Sequence, residues 1–229
     1  MSLLNSRRLA RAGIVLAAVL LAACASKVAD VKQYSGFLGD YSQLKETKAE
    51  DGTPVMRWVS PDFKKGQYTN LLIDPIVIYP KPVATVQVDV ATAEEAVSYL
   101  DTELRQRLST EVDLVNSIQP NTIRMRAAIT GVRTSAEDFK AYEVIPVALI
   151  VAGTMAAAGE RDRNIDVYLE VELTDANTNE VLGRVVRKAI SKNTVKNDKV
   201  QVTLDEIKPT LDLWVDQGER FAKKFMVTK

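Results

Sequence analysis

Cys24 is the only thiol in a chain of 229 residues, and the chain contains no histidine. Without imidazole there is no side chain that titrates near neutral pH in its ordinary state, and the commonest nitrogen ligand for metals is missing. Serine–histidine–acid catalysis, cysteine–histidine catalysis and histidine–zinc hydrolysis therefore cannot be assembled. Carboxylate, lysine, serine–lysine or tyrosine chemistry is what remains. The one carboxylate set with suggestive spacing is Asp166, Glu170 and Glu172, since residues an even number apart on a strand share a face. The same alternation is what any half-exposed strand shows, so these acids are expected to face solvent. Asp40 and Asp74, beside aromatic and apolar neighbours, suit turns or hydrogen bonds. Gly36-x-x-Gly39 is too loose for a phosphate loop, and no G-x-x-x-x-G-K-[ST] pattern exists. No catalytic residue, metal site or cofactor is expected.

Cys24 itself sits in a distinctive context. Arg7, Arg8 and Arg11 form a basic start with no acid before the cysteine. Residues 13–23 are all apolar or small, too short a run for a permanent membrane helix. Leu21, Ala22 and Ala23 then lead into Cys24. This arrangement resembles the bacterial lipobox, with Leu21, Ala22 and Ala23 as the signal-peptidase recognition residues. The resemblance implies loss of residues 1–23 and a diacylglyceryl group on the Cys24 sulfur, usually with a third chain on the new amino terminus. One chain alone would hold the protein only marginally, at about 0.8 kcal/mol per buried methylene, so several chains are needed for a stable anchor. Residues 24–33 then form a lipidated tether and 34–229 one periplasm-exposed domain. No aspartate follows the cysteine, a pattern that in lipoproteins implies transfer to the inner leaflet of the outer membrane. Lipidation consumes the thiol, which excludes a disulfide and a thiolate nucleophile.

Loss of residues 1–23 removes three arginines and no acid, so 206 residues remain with 27 basic and 30 acidic side chains, a formal charge of −3. That length supports one substantial core. No basic excess remains to neutralise phosphates, so nucleic acid is not an expected partner. The expected partners are the membrane, through the anchor, and an envelope protein or a second copy of the chain.

The remaining elements follow from periodicity. Residues 34–44 mix aromatics with glycine and read as an ordered loop or arm that packs by its aromatics, and 45–54 as a solvated charged loop. Residues 68–79 predict a strand that Pro75 demotes to an edge or bulge. Thr92 and Glu95 form a capping box for a helix whose apolar stripe is Ala93, Ala96, Val97, Leu100, Leu104 and Leu108. Residues 112–115 predict a short strand and 121–134 a longer one. Residues 164–174 alternate most cleanly, with Val167, Leu169, Val171 and Leu173 on one face, and 180–192 return as a hairpin partner. A last helix starts at Thr203 or at Pro209 and buries Leu211, Trp214, Phe221 and Phe225. The order predicts a single α+β domain, a mixed or mainly antiparallel sheet with two main helices on one face.

Several of these stretches together resemble an uncharacterised bacterial lipoprotein family, domain of unknown function 3313. The carriers are SGFLGDYSQL at 35–44, YTNLLIDPIVIY at 68–79, IRMRAAITGV at 123–132 and VYLEVELTDANTNEVLG at 167–183, with the final tryptophan-bearing helix. The family implies an address and no site residues. Where relatives favour glycine in the hairpin turn, this chain has Asn179, which also tolerates a left-handed backbone.

Residues 144–158 carry no charge and would extend about 22 Å as a helix at about 1.5 Å per residue. That falls short of a hydrocarbon core about 30 Å thick. Ala148, Ala152 and Ala156 give a smooth strip suited to close packing. Burial against the chain's own sheet is the first expectation, and shallow membrane contact the third. Between them stands an interface built from Val147, Ala148, Ile150, Val151, Ala152, Met155 and Ala156. The class expected from the whole sequence is a membrane-anchored, non-catalytic binding or scaffold module. A hydrophobic-cargo-binding accessory subunit of an envelope transport or secretion system is the alternative, and a carboxylate or serine–lysine hydrolase the third.

Overall fold

The alternating residues of β6 (Thr122–Ala136), β7 (Arg163–Asp175) and β8 (Val181–Ile190) make the long antiparallel centre of one sheet in a computed structural model. The structure describes residues 28–81, 90–136, 163–190 and 202–229. A hairpin of β1 (Lys45–Lys48) and β2 (Pro54–Val59) extends the sheet beyond β8. On the far side β3 (Asn70–Ile73) and β4 (Val77–Ile78) run parallel to β6, and β5 (Asp113–Leu114) runs parallel to β3. The order is β1-β2-β8-β7-β6-β3-β5, with β4 also on β6. The domain is α+β with a mixed sheet, as the sequence predicts.

Pro75 splits the predicted strand into β3 and β4. Ile73 pairs with Met125 and Val77 with Ala128, so four residues on this side match three on β6. A proline cannot donate to the ladder, and the extra residue takes up the interruption. The expected solvated loop at 45–54 is corrected. Lys45–Lys48 is an edge strand, and its charged side chains guard an edge that backbone pairing would otherwise extend.

Two helices cover one face. α1 (Val90–Ser109) buries Ala96, Leu100, Leu104 and Leu108 of the predicted stripe, while Ala93 and Val97 are half-buried. It is already helical at Val90, so Thr92 lies within its first turn and is not the N-cap. α2 (Leu204–Phe225) starts after Thr203, whose backbone N–H donates to the Glu206 carboxylate at 2.8 Å. Of the two predicted starts the earlier one holds, and Pro209 lies inside the helix. α2 buries Leu211 and Trp214, while Phe221 and Phe225 are half-buried. Val167, Leu169, Ile123, Met125 and Leu182 face the helices and complete the main core. At Gly218 an added Cβ would lie 3.0 Å from Leu104 Cδ1, so glycine allows the two helices to approach. No helix among the described residues is long and apolar enough to cross a membrane.

Candidate functional site

The second face of the sheet is where Asp166, Tyr168, Glu170 and Glu172 of β7 project. These acids are not solvated as expected: they are 5%, 0% and 6% exposed, in that order of the three carboxylates. Alternation shows which residues share a face but not what lies on it. Here residues 28–44 fold across it as an arm. Ala29 and Leu38 bury against Tyr168 and Val186, with Tyr34, Phe37, Tyr41 and Leu44 packed around them. Tyr34 and Tyr41 stack with centroids 4.5 Å apart, and the Arg126 guanidinium lies 4.6 Å from the Phe37 ring.

The acids clamp this arm. Glu170 accepts from the Ser35 backbone N–H at 2.9 Å and from the Tyr41 hydroxyl at 2.6 Å. Burial first, then this bond and the carboxylate charge, push the Tyr41 hydroxyl up to about 12. Glu172 bridges Arg126 of β6 and Arg184 of β8, each at 2.7 Å, and Arg184 reaches Asp40 of the arm at 3.1 Å. Lys188 pairs with Asp166 at 3.2 Å. Gln33 donates to the Tyr168 hydroxyl at 2.8 Å. Every one of these carboxylates is engaged by a cation or by the arm. Gly36 and Gly39, both at positive φ, form the arm's turn, with the Gly39 N–H bonded to the Gly36 carbonyl.

A second polar feature lies at the β7–β8 turn. Asp175 accepts backbone N–H bonds from Asn177 at 2.8 Å and Thr178 at 3.0 Å, and the Tyr68 hydroxyl at 2.9 Å. Asn179 takes the left-handed conformation the sequence suggested, at φ 62°. Burial works to raise the Asp175 pKa, but the bonds from Thr178, Asn177 and Tyr68 outweigh it and hold the carboxyl below its ordinary value. Such a group binds fewer protons folded than unfolded. Its contribution is complete above the unfolded pKa of about 4 and is lost as pH falls through the folded value. Thermal midpoints should therefore drop between about pH 5 and about pH 3, and Asp175→Asn should flatten part of that drop. An identical pH profile in the variant would contradict the assignment.

The helix-covered face holds an open space. A cavity of about 120 Å³ lies between the sheet and the helices, walled by residues such as Leu100, Leu104, Met125, Leu169 and Trp214. Ala127, Gly183, Gly218 and Ala222 also line it. One end is polar. Arg57 and Arg187 both reach it from the same sheet face, Arg57 opposing Val185 on β8. Arg57 is matched by Glu50 at 3.0 Å. The part-buried Arg187 donates through Nη1 to Gln217 Oε1, and Gln217 Nε2 donates to Asp51 at 2.6 Å. Burial lowers the Arg187 pKa to about 10, against the charges of Glu50 and Asp51, so it remains a cation at neutral pH. Sequence periodicity had no means to show this end of the cavity, because Gln217 and Arg187 read as ordinary polar positions.

Leu21, Ala22, Ala23 and Cys24 lie outside the described residues, as do Val147, Ala148, Ile150, Val151, Ala152, Met155 and Ala156 of the apolar segment. Among the described residues no group of three or more acidic or thiol side chains is placed to hold a metal ion.

A mixed sheet with one helical layer, an arm clamped on its other face and an apolar cavity beneath the helices define a single-domain α+β protein. Residues 33–218 match the model of the family described as protein of unknown function (DUF3313), and the chain belongs to that family. It is 40% identical over 192 residues to the uncharacterized lipoprotein YdcL of Escherichia coli K12, covering 84% of this chain and 86% of that protein. Among solved structures, the hypothetical protein CT253 of Chlamydia trachomatis aligns with a TM-score of 0.40 at 11% identity, covering 68% of this chain and 98% of that one. A minor lipoprotein of Acinetobacter baumannii aligns at 0.37 and 12% identity, covering 68% and 91%. Likenesses that loose say nothing of ligand or mechanism.

Proposed function

We propose that this chain is a lipid-anchored, non-catalytic module of the bacterial envelope that binds a hydrophobic ligand. The observation that carries the ligand is the cavity of about 120 Å³ walled by aliphatic and aromatic side chains. A space of this order lined by such residues stays dry and takes up apolar guests. The anchor rests on the arginine-rich start, the apolar run and Leu21-Ala22-Ala23-Cys24, and the lipoprotein relative agrees with it. With no aspartate after Cys24, the outer membrane is the proposed destination, the domain facing the periplasm. The engagement of Asp166, Glu170 and Glu172 by cations and by the arm supports a binding role over acid–base chemistry. The same reading suits an accessory subunit of an envelope transport or secretion system, with residues 144–158 as its contact to a partner or a second copy.

Native mass spectrometry of the protein taken from its membrane tests the proposal. It should carry acyl chains on Cys24 and release an apolar guest on gentle activation. An empty chain would overturn the ligand, and an unacylated one the anchor.

A further inference from the structure

The polar end of the cavity narrows the class of ligand, taking the hydrophobic-ligand reading as given. Arg57 and Arg187 differ in how their charge is met. Arg57 touches a carboxylate directly and a backbone carbonyl besides, through Glu50 and Lys48. Among the described residues no carboxylate touches Arg187, whose one hydrogen bond goes to a neutral amide that relays it to Asp51. A guanidinium has five donors in a planar fork that matches a carboxylate with two parallel bonds. Arg187 uses one of them. It is thus a cation at the rim of an apolar space, out of bulk water, without a direct counterion. Leaving it so is unfavourable, and an anion beside it would be held more strongly than in water. The neighbouring acids, Glu50 and Asp51, repel further negative charge, so the fit is to one charge and not two.

We infer that the cavity takes a small amphiphile with a monoanionic carboxylate head, the class of a short-chain fatty acid of benzene-like bulk, its head on Arg187 and its chain among Leu100, Leu104, Met125, Leu169 and Trp214. Glu50 and Asp51 set the specificity against dianionic heads. Gln217 is a positioning residue, holding the Arg187 fork from one side so that the other side faces the guest.

Two tryptophans exist in the chain, which gives a contact readout. Trp58 opposes Arg184 in the β2–β8 ladder but borders the cavity as Trp214 does, so it is replaced to leave Trp214 as the single reporter. The experiment uses the complete chain from residue 24 with Cys24→Ser and Trp58→Phe, which keeps every described element. Terminally brominated pentanoate and the matching brominated pentanol are titrated while Trp214 fluorescence is followed, since bromine quenches on contact. The pentanoate is expected to bind at least about tenfold more tightly than the alcohol, a gap of about 1.4 kcal/mol. Arg187→Gln should erase that preference, and Arg187→Lys should keep part of it. Equal affinity for acid and alcohol in the parent chain would overturn the head-group assignment and leave the apolar cavity standing. So would a preference that survives in Arg187→Gln. No quenching by either compound would overturn the cavity reading as well. The acid–alcohol comparison needs no variant at Arg187, so it decides even if that variant does not fold.

Discussion

Trp214→Ala is expected to lower folding stability by about 3–5 kcal/mol. Trp214 is 4% exposed and lies in the core formed by both helices and the sheet. Truncation removes its packing and leaves a void continuous with the existing cavity. Collapse of α2 into that void is opposed from both sides. α2 is held just past its end by the Val227 N–H, which donates to the Tyr68 carbonyl at 2.9 Å, and α1 and α2 are tied by Arg107 to Asp216 at 3.0 Å and to Glu219 at 2.8 Å. Urea unfolding would read the loss as a lower midpoint with an unchanged slope. A change below about 1 kcal/mol would mean that this side chain is not a core member.

Glu172→Ala is the second large effect, expected at about 3 kcal/mol. Breaking a buried ion pair from one side costs about 3–5 kcal/mol, chiefly because the surviving charge is left in a poor environment. Arg184 retains 15% of its side-chain exposure and would keep only Asp40, itself half in solvent. Arg126 is 39% exposed, so water relieves much of its loss, and the figure is taken from the low end. The origin of the effect can be checked by a second change. Glu172→Leu combined with Arg184→Leu should be less destabilised than Glu172→Ala alone, since it removes the stranded charge with the acid. A double variant worse than the single one would show that the pair's attraction, and not a stranded cation, holds this face. In either case hydrogen exchange should report faster opening of residues 33–41, because Asp40 and Arg184 join the arm to the sheet.

What could be read beforehand was whatever periodicity alone determines. Leu100, Leu104 and Leu108 repeat at helical spacing, and Val167, Leu169, Val171 and Leu173 at strand spacing, so α1 and β7 were legible with the correct inward faces. The start of α2 was legible only as a choice between Thr203 and Pro209, because the bond from the Thr203 N–H to Glu206 that fixes it needs the fold to be seen. Lys45–Lys48 was missed because an edge strand is held by backbone bonds to β2, and its side chains carry no apolar period. The burial of Glu170 and Glu172 was missed for a related reason. A polar face looks the same in sequence whether water or an arm covers it. The available signal was pairwise: Arg126 and Arg184 fall opposite Glu172 on both neighbouring strands, and Tyr34, Phe37 and Tyr41 supply aromatics with no other surface to cover. The cavity left no periodic trace, since its lining is drawn from elements distant in sequence, with Ala127 on β6, Gly183 on β8 and Gly218 and Ala222 on α2.

The clamped arm has a mechanical consequence. With the proposed anchor at Cys24, a pull on the tether would load Ala29 and Gln33 on Tyr168 first, and then Ser35, Asp40 and Tyr41 with their partners Glu170 and Arg184. The helix face with its cavity is on the opposite side. In the proposed arrangement the bilayer attachment and the ligand space therefore use separate surfaces of one sheet.

The decisive measurement weighs the protein as it leaves the envelope, first intact and then denatured. The account predicts two separable increments over a polypeptide that starts at residue 24. One is an apolar molecule lost on denaturation, and the other is acyl mass that survives it and maps to the first residue. A chain that still holds residues 1–23, or one whose denatured mass is that of the bare polypeptide, would contradict the anchor; no releasable guest in any preparation would contradict the binding role.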